Sequence, residues 1–405
     1  MSSKSKTAAT LDEAGPALVP KLRFPEFREA EGWRVKPFGE LFTIGNGRDY
    51  KHLDAGDVPV YGSGGYMLSV NEYLYDGESV CIGRKGTINN PMFLSGRFWT
   101  VDTLFYTHSF KECLPKFIFA IFQQIDWLKH NEAGGVPSLS KTNIEKIKTA
   151  VPKPAEQQKI AECLNSVDEL MAAQARKVDA LKTHKKGLMQ QLFPREGETQ
   201  PGLRFPEFQN AGEWDDQSIG DFGQVVTGST PSTAQPAFYG GGVPFVSPAD
   251  ISDLRFVDQT KTTLTPEGFA ETRPIRAGSV LFVCIGSTIG KVAKNVHECA
   301  TNQQINAIVP SSKHSDDFVY FALSYASERI ALLAGRQAVP IINKSLFSSV
   351  RLLVPKLPEQ QRIASCLSSL DALITAETQK LEVLKTHKKG LMQQLFPSPD
   401  SDHWH

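Results

Sequence analysis

Two long segments of the chain carry apolar residues at steps of alternately four and three positions. In the first segment these are Ile160, Leu164, Val167, Met171, Val178, Leu181, Leu188 and Leu192. In the second they are Ile363, Leu367, Leu370, Ile374, Leu381, Leu384, Leu391 and Leu395. The polar residues Gln174, Lys185, Glu377 and Lys388 fill the positions that each stripe skips. An average step of 3.5 residues is typical of a coiled-coil seam and predicts two long helices.

The ends of both predicted helices are marked by proline. Pro154 and Pro358 lie at the two starts, where a proline is tolerated because its missing N–H needs no partner in the first turn. The Phe-Pro pairs at 193–194 and 396–397 predict the two ends, since the residue before a proline disfavours the helical conformation. Two matching seams in one chain favour antiparallel packing of the helices on each other. The alternative is that each helix lies on its neighbouring globular domain.

The two helical segments are copies of one another. The sequence LKTHKKGLMQQLFP at 181–194 recurs unchanged at 384–397, and 26 of 41 positions are identical between 154–194 and 357–397. A repeat of this strength indicates a duplicated architecture. The remaining alternative is a duplication without functional meaning.

The stretches between the copies, residues 28–150 and 209–353, differ greatly in sequence. Each follows the repeated block LRFPEF and contains β-like runs with glycine, a short helical pattern and a Val-Pro turn. In chain order these features lie at 22–27, 79–88, 116–130 and 136–137 in the first copy and at 203–208, 279–292, 317–335 and 339–340 in the second. We therefore predict an α+β protein, with two mixed α/β domains separated by an antiparallel coiled coil of two long helices and a pseudo-two-fold internal repeat.

Composition adds one constraint on partners. With 40% hydrophobic and 22% charged residues the chain can bury real cores. Lys and Arg total 44, as do Asp and Glu, so the formal net charge is zero. A nucleic-acid partner then requires that basic residues gather on one face, or that other proteins supply phosphate contacts.

Cysteine usage and hydropathy indicate the compartment. The six cysteines form no Cys-x-x-Cys pair and no zinc-finger spacing, and no apolar run is long enough to span a membrane. With no signal peptide in the sequence, we predict a cytoplasmic protein in a reducing environment.

No catalytic or metal-binding motif is complete. GSTIGKV at 286–292 resembles a phosphate-binding loop, but its glycines are one residue too close and Lys291 is followed by valine rather than by Ser or Thr. NNPMF at 89–93 lacks the second proline of an adenine methyltransferase motif. His297 and Cys299 have no further ligands at metal spacing. We therefore predict no catalytic residue and no metal site.

Glycine-flanked polar loops are the candidate binding elements. Glycine permits close backbone approach, Arg and Lys can bond phosphates or guanine, and Asn and Gln can bond adenine. The candidate DNA-binding residues are Arg48, Lys51, Ser63, Arg84, Lys85, Thr87, Ser138, Lys141, Ser229, Ser287, Thr288, Lys291, Gln303, Gln304, Asn343 and Lys344. For each residue the alternative is an ordinary solvated loop.

The repeated blocks resemble the specificity subunits of type I restriction–modification systems. The resemblance is carried by Val-Pro-x-x-x-Glu-Gln-Gln-(Lys/Arg)-Ile-Ala at 151–161 and 354–364, and by the helix ending Lys-Gly-Leu-Met-Gln-Gln-Leu-Phe-Pro at 186–194 and 389–397. It covers residues 20 to 397. The family's base-contacting residues lie in variable loops, so none can be transferred to this chain individually.

The resemblance implies a non-catalytic subunit that recognises a bipartite asymmetric DNA target. It also implies two methyltransferase subunits and nuclease/translocase subunits as partners, with S-adenosylmethionine, ATP and Mg²⁺ bound by those partners and no cofactor on this chain. The two helices would act as a spacer between the half-sites. The alternatives are a coiled-coil adaptor that binds only proteins, and an enzyme fused to catalytic modules, for which the chain has no spare length.

The resemblance also predicts the domain boundaries. They are a flexible leader over 1–20, a first target-recognition domain over 21–150, a first spacer helix over 151–195, a second target-recognition domain over 196–353, a second spacer helix over 354–397 and a tail over 398–405.

Overall fold

A computed structural model describes residues 18–335 and 339–397. The predicted tail and all but the last three residues of the predicted leader lie outside this range. The chain divides into two compact units, the first of residues 1–175 with 379–405 and the second of residues 176–378. Both boundaries fall within long helices, so each unit contains one globular region and a part of each helix.

The described residues of the first unit form ten strands and three short helices before the first long helix. The strands are β1 (Arg34–Pro37), β2 (Thr43–Asn46), β3 (Ala55–Gly62), β4 (Gly65–Val70), β5 (Tyr75–Asp76), β6 (Ser79–Gly83), β7 (Met92–Leu94), β8 (Arg97–Thr100), β9 (Leu104–His108) and β10 (Lys148–Val151). The helices are α1 (Phe38–Leu41), α2 (Pro115–Phe122), α3 (Lys141–Lys146) and the long α4 (Pro154–Leu192), with 3-10 turns at Pro25–Phe27 and Trp127–His130.

Two four-stranded sheets and a ribbon make up its β structure. Their strand orders are β2-β9-β6-β7, β4-β3-β8-β5 and β1-β10. The ribbon is antiparallel, with Arg34 opposite Val151, and it leads directly into α4. The helix predicted over 116–130 is interrupted after Phe122, whose carbonyl accepts the indole N–H of the buried Trp127 at 2.9 Å.

The second unit repeats this plan, with five strands in one main sheet and three in the other. Its strands are β11 (Asp215–Ser218), β12 (Gly223–Thr227), β13 (Tyr239–Val246), β14 (Phe256–Val257), β15 (Thr262–Leu264), β16 (Val280–Val283), β17 (Val292–Asn295), β18 (Ala300–Thr301), β19 (Ile305–Pro310) and β20 (Arg351–Val354). Its helices are α5 (Pro266–Ala270), α6 (Asp316–Ala331), α7 (Lys344–Ser349) and the long α8 (Leu357–Leu395), with 3-10 turns at Pro206–Phe208, Ile219–Asp221, Pro236–Phe238 and Leu332–Ala334. The sheets are β12-β19-β16-β17-β14, β15-β13-β18 and the ribbon β11-β20.

In the first unit the start of α4 lies antiparallel to the end of α8. Ile160 shares a hydrophobic core with Leu395, and one turn further along α4 Leu164 joins the same core. Asp168 then pairs with Lys388, with 2.7 Å between the carboxylate and the ammonium. Residue numbers rise along α4 as they fall along α8, so the antiparallel arrangement is confirmed.

In the second unit the later part of α4 lies antiparallel to the earlier part of α8. Lys177 pairs with Glu377 at 3.1 Å and Lys185 pairs with Asp371 at 2.5 Å. All sixteen apolar residues of the two predicted seams are buried or half-buried. The helix ends also enter the globular cores, where Phe396 packs on Trp33 and Phe193 packs on Trp214. Helix-on-helix and helix-on-globule packing therefore both occur.

The repeated sequence blocks contact each other within each unit. Arg23 of the first LRFPEF block donates two hydrogen bonds to Glu156, at 2.8 and 2.7 Å. Arg204 makes the same two bonds to Glu359 in the second unit, at 2.8 and 2.7 Å. All four side chains are buried. Such charge-assisted paired bonds have strict geometry, and they fasten each block to the start of a long helix.

The glutamine after each of these glutamates joins the long helix to a second helix. The Oε1 atom of Gln157 accepts the N–H of Leu114, immediately before α2, at 2.8 Å. Gln360 accepts the N–H of Ser315, immediately before α6, at 3.0 Å. The Glu-Gln-Gln motif is therefore an internal connector in both units.

The first residue of each LRFPEF block is held in the same way in both units. In the first, Leu22 N–H donates to the carbonyl of Gln394 near the end of α8 at 2.9 Å. In the second, Leu203 N–H donates to Gln191 near the end of α4 at 2.8 Å. Among the described residues, no helix is both long enough and apolar enough to cross a membrane.

Candidate nucleic-acid interface

In the first unit, three predicted basic residues follow strands that end at the same sheet edge. Strands β2 and β6 both run antiparallel to β9, so their carboxyl ends lie where β9 begins. Arg48 N–H donates to the carbonyl of Thr100 at 2.8 Å, and the N–H groups of Arg84 and Lys85 donate to that of Thr103 at 2.8 and 3.3 Å. One turn between β8 and β9 therefore fixes the backbone of all three.

Two further segments close this edge. Gly86 N–H donates to the carbonyl of Pro137 at 2.9 Å, and Lys85 pairs with Ser138 in an isolated β-bridge. A Cβ atom added to Gly86 would lie 3.3 Å from the hydroxyl of Ser63, so the β3–β4 turn contacts this loop. We call the following set the first loop edge: Arg48, Ser63, Arg84, Lys85 and Ser138.

The second unit assembles an equivalent edge from different side chains. Ser229 N–H donates to the carbonyl of Thr301 at 2.9 Å, as Arg48 does to Thr100. Cys284 N–H donates to the carbonyl of Gln304 at 2.8 Å, at the start of β19. The sheet again brings together the ends of two strands that flank a third.

The same Val-Pro contact completes the second edge. Gly286 N–H donates to Pro340 O at 3.0 Å, as Gly86 does to Pro137. Ser287 follows on the exposed side of this turn, and Gln303 accepts a bond from Thr230 at 2.7 Å. We call the following set the second loop edge: Ser229, Ser287, Gln303 and Gln304.

A glycine is required at the matching position of both edges. A Cβ atom on Gly47 would lie 1.9 Å from the carbonyl oxygen of Val101, and one on Gly228 would lie 2.2 Å from that of Asn302. Only a residue without a side chain permits this backbone approach. The framework of the two edges is therefore the same, although the residues displayed on it differ.

Two predicted residues have side-chain groups bonded within the fold, and a third begins a helix. The ammonium of Lys291 donates to the carbonyl of Ile251 at 2.9 Å and is half-buried. The side chain of Asn343 caps α7 by accepting the N–H of Leu346 at 2.8 Å. Lys344 is the exposed first residue of that helix. These contacts commit the polar groups of Lys291 and Asn343 to structural bonds.

The remaining predicted residues lie near the edges or on neighbouring elements. Lys51 is exposed between β2 and β3, and Thr87 is exposed just after the first loop edge. Thr288 lies in the turn between β16 and β17, where its carbonyl accepts the N–H of Lys291. Lys141 begins α3 and pairs with Glu145 one turn later at 3.7 Å. None of these four is fastened to a loop edge in the way that Arg84 is.

The cations of the first loop edge are not neutralised internally. Across the described ranges, no carboxylate lies within 4.0 Å of the charged groups of Arg48, Arg84 and Lys85, or of the neighbouring Lys51, and all four residues are exposed. The zero net charge of the chain thus coexists with free positive charge at this edge. Such a surface can bind an anionic polymer.

Some polar and apolar groups at the edges were not identified from the sequence. The hydroxyl of Thr100 is buried without a hydrogen-bond partner among the described residues, as are those of Thr301 and Ser229 in the predicted loops of the second unit. Tyr66 and Met67 are exposed beside the β3–β4 turn. The glycines before Tyr66 signalled a turn, but an aromatic residue in a β-like run resembles a core position.

The buried thiols offer no reactive nucleophile. Burial raises the pKa of Cys81, Cys284 and Cys299 to about 12 and that of Cys113 to about 11. These thiols stay protonated near neutral pH, and the thiolate is the reactive form. Where the structure describes the chain, no group of three or more His, Cys, Asp or Glu residues is placed to hold a metal ion.

One protein family matches most of the sequence. Residues 30–183 and 211–386 match the family described as type I restriction modification DNA specificity domain. The two ranges coincide with the two copies of the internal repeat.

Individual relatives are similar over shorter ranges. The HindI specificity subunit of Haemophilus influenzae, a type I restriction enzyme component, is 33% identical over 147 residues, which are 35% of this chain and 32% of that protein. The MjaIX specificity subunit of Methanocaldococcus jannaschii is 29% identical over 190 residues, 45% of this chain and 44% of that protein. The chain thus spans less than half the length of each of these two curated relatives.

A solved structure shares the fold over nearly the whole chain. The crystal structure of a type-I restriction-modification system S subunit from M. genitalium matches 94% of this chain and 100% of its own, with a TM-score of 0.65. The sequences are 14% identical, so this likeness concerns the fold.

Proposed function

Because the chain belongs to the family of type I restriction modification DNA specificity domains, we propose that it recognises a bipartite asymmetric DNA sequence. Each unit reads one half of the target through its loop edge. The chain itself performs no chemistry. It directs two methyltransferase subunits and the nuclease/translocase subunits of a type I complex, and these partners bind S-adenosylmethionine, ATP and Mg²⁺.

One observation carries the proposal. Two loop edges stand on the same backbone framework, with the N–H of Arg48 or Ser229 on a threonine carbonyl and the N–H of Gly86 or Gly286 on a proline carbonyl. The displayed side chains are basic in one edge and amide- or hydroxyl-bearing in the other. Arg and Lys favour guanine and phosphate, whereas Gln favours adenine, so such edges suit two different half-sites. An adaptor that binds only proteins is not supported, since both halves match a DNA specificity family.

A domain exchange tests this function. Residues 28–150 are replaced by the equivalent domain of a relative, and methylated sites are mapped in cells that carry the matching methyltransferase. We expect one half of the methylated sequence to change and the other to stay the same. A mirrored exchange of residues 209–353 serves as the control and changes the opposite half. Changes in both halves, or in neither, would contradict modular reading.

A further inference from the structure

The β3–β4 hairpin presents two apolar side chains to solvent at its tip. Gly62 pairs with Gly65 across a two-residue turn, and Tyr66 and Met67 follow directly. Tyr66 is 62% exposed and Met67 is 47% exposed. The register of the ladder shifts here, and Met67 has no partner on β3, so the two side chains lie at a β-bulge beside the turn.

The tip belongs spatially to the first loop edge. A Cβ atom on Gly62 would lie 3.0 Å from the sulfur of Met67 and 3.8 Å from the hydroxyl of Thr103. Thr103 is the residue whose carbonyl holds the N–H groups of Arg84 and Lys85. The apolar tip and the free cations therefore stand on one continuous surface.

This juxtaposition restricts the ligand. A ligand that complements both the cations and the hairpin tip carries strong negative charge and also presents isolated apolar groups. In the major groove of duplex DNA the phosphates supply the anionic charge, and the 5-methyl group of thymine is the apolar feature of the base edges. Arginine and lysine read guanine and amides read adenine; of the two remaining bases only thymine presents an apolar group, which an apolar pair complements.

We propose that Tyr66 and Met67 specify thymine in the half-site read by the first unit, by contact with its 5-methyl group. The inference rests on the proposed DNA-recognition function and extends it to named residues and a base. The cations of the first loop edge hold the backbone of the duplex, and the hairpin tip supplies base preference.

The test is selection of binding sites from random duplexes. It uses the full chain, alone and together with the methyltransferase subunit of its system. The variant Tyr66→Ser/Met67→Ser is compared with wild type and with Tyr73→Ser. Tyr73 is a matched control, because it is also exposed in the first unit but its ring lies 4.9 Å from the guanidinium of Arg97.

We expect wild type and Tyr73→Ser to select the same bipartite sequence. The double variant should lose its preference for thymine at one or two positions of one half-site and keep the other half-site unchanged. The other positions of the same half-site, which should stay selected, report that the first unit is folded. The inference fails if the double variant selects the wild-type sequence.

A second measurement removes the methyl group from the DNA instead of the side chains from the protein. Replacing each selected thymine by deoxyuridine should weaken wild-type binding about fourfold per contacted methyl. The double variant should bind both DNAs equally. If wild type binds both DNAs equally at every thymine of that half-site, the inference is overturned even though DNA recognition stands. If wild type selects no sequence at all, the proposed function itself fails, and this inference with it.

Discussion

In each unit an aspartate of one long helix forms an ion pair with a lysine of the other. The two pairs use the same residues of the repeat, but their surroundings differ. Asp168 pairs with Lys388 at 2.7 Å, and its side chain remains 44% exposed. Asp371 pairs with Lys185 at 2.5 Å and is 17% exposed. The duplicated helices therefore supply one motif, and the globular regions decide how deeply it is buried.

The difference comes from Arg255, which the second globular region places beside Asp371. Its guanidinium lies 3.8 Å from that carboxylate, pairs with Asp317 and donates to the hydroxyl of Ser368 on α8 at 2.8 Å. Three aromatic rings, of Phe256, Tyr320 and Phe321, surround it at 4.7 to 5.1 Å. A buried cation of this kind depends on its carboxylates, because removing a partner leaves an uncompensated charge. Substitution of Asp371 should therefore destabilise the protein far more than substitution of Asp168.

The largest expected effect concerns the buried Arg-Glu pair that fastens each LRFPEF block to a long helix, since this pair is alike in both units. Glu156→Ala or Glu359→Ala strands a buried arginine, so each should lower the free energy of unfolding by about 3–5 kcal/mol. Urea unfolding measures the loss, and Glu162→Ala, on an exposed position of α4, is the control with a change below about 0.5 kcal/mol. Clearly unequal losses at the two glutamates would show that the two joints are not equivalent.

The next effect separates the two aspartates. Asp371→Ala removes a carboxylate from a buried cluster and should cost about 2–4 kcal/mol. Asp168→Ala removes a half-exposed pair and should cost about 1 kcal/mol or less. Both variants are compared by urea unfolding with the same probe. Equal losses would mean that Arg255 does not set the difference.

DNA binding should distinguish residues of the loop edges that are free from those that are engaged. Arg84→Ala and Lys85→Ala should each weaken binding by about 1–3 kcal/mol if they contact base edges. A contact to phosphate alone would weaken binding evenly across sequences and reduce its salt dependence. Lys291→Ala should affect stability more than binding, since its ammonium is bonded to Ile251. Gel shifts at several salt concentrations measure these effects, and unchanged affinity for Arg84→Ala and Lys85→Ala would exclude this loop as a contact.

The smallest effect is the pH dependence contributed by Asp317 in the second unit. Burial raises the pKa of Asp317, but the hydrogen bond from Lys294 and the charge of Arg255 lower it by more, so its net pKa lies below the ordinary value. A carboxylate with a lowered folded pKa stabilises the fold above its unfolded pKa of about 4, and this contribution is lost as the pH falls below that value. Urea unfolding between about pH 5 and pH 3 should therefore show a steeper loss for wild type than for Asp317→Asn. Parallel curves would contradict this assignment.

The helices could be predicted from the sequence because their signal is local. A step of 3.5 residues depends only on the chain within each segment, and the seam residue Ile160 is buried as expected. The bonds that fasten the repeated blocks could not be predicted in this way. Arg23 and Glu156 are 133 positions apart, and the sequence around either residue does not indicate which residue it contacts.

The loop candidates were predictable to the level of the segment but not of the side chain. Glycines identified the turns around Arg84 and Ser287, because close backbone approach needs them. Whether a lysine in such a turn faces solvent or bonds to a carbonyl, as Lys291 does, depends on a loop residue 40 positions away. Asn343 could have been recognised as a helix cap, since asparagine before a helix commonly accepts an N–H of its first turn.

The bond between Leu22 and Gln394 has a consequence for the covalent order of the chain. The second unit makes the equivalent bond, Leu203 to Gln191, through one continuous segment, whereas the first unit makes it between segments far apart in sequence. The same backbone bond therefore forms whether the two segments are joined directly along the chain or meet only through noncovalent contacts. A gene that joins the segment after Pro397 to that before Leu18, and opens the chain between Pro194 and Leu203, should encode the same protein with its two units in exchanged order.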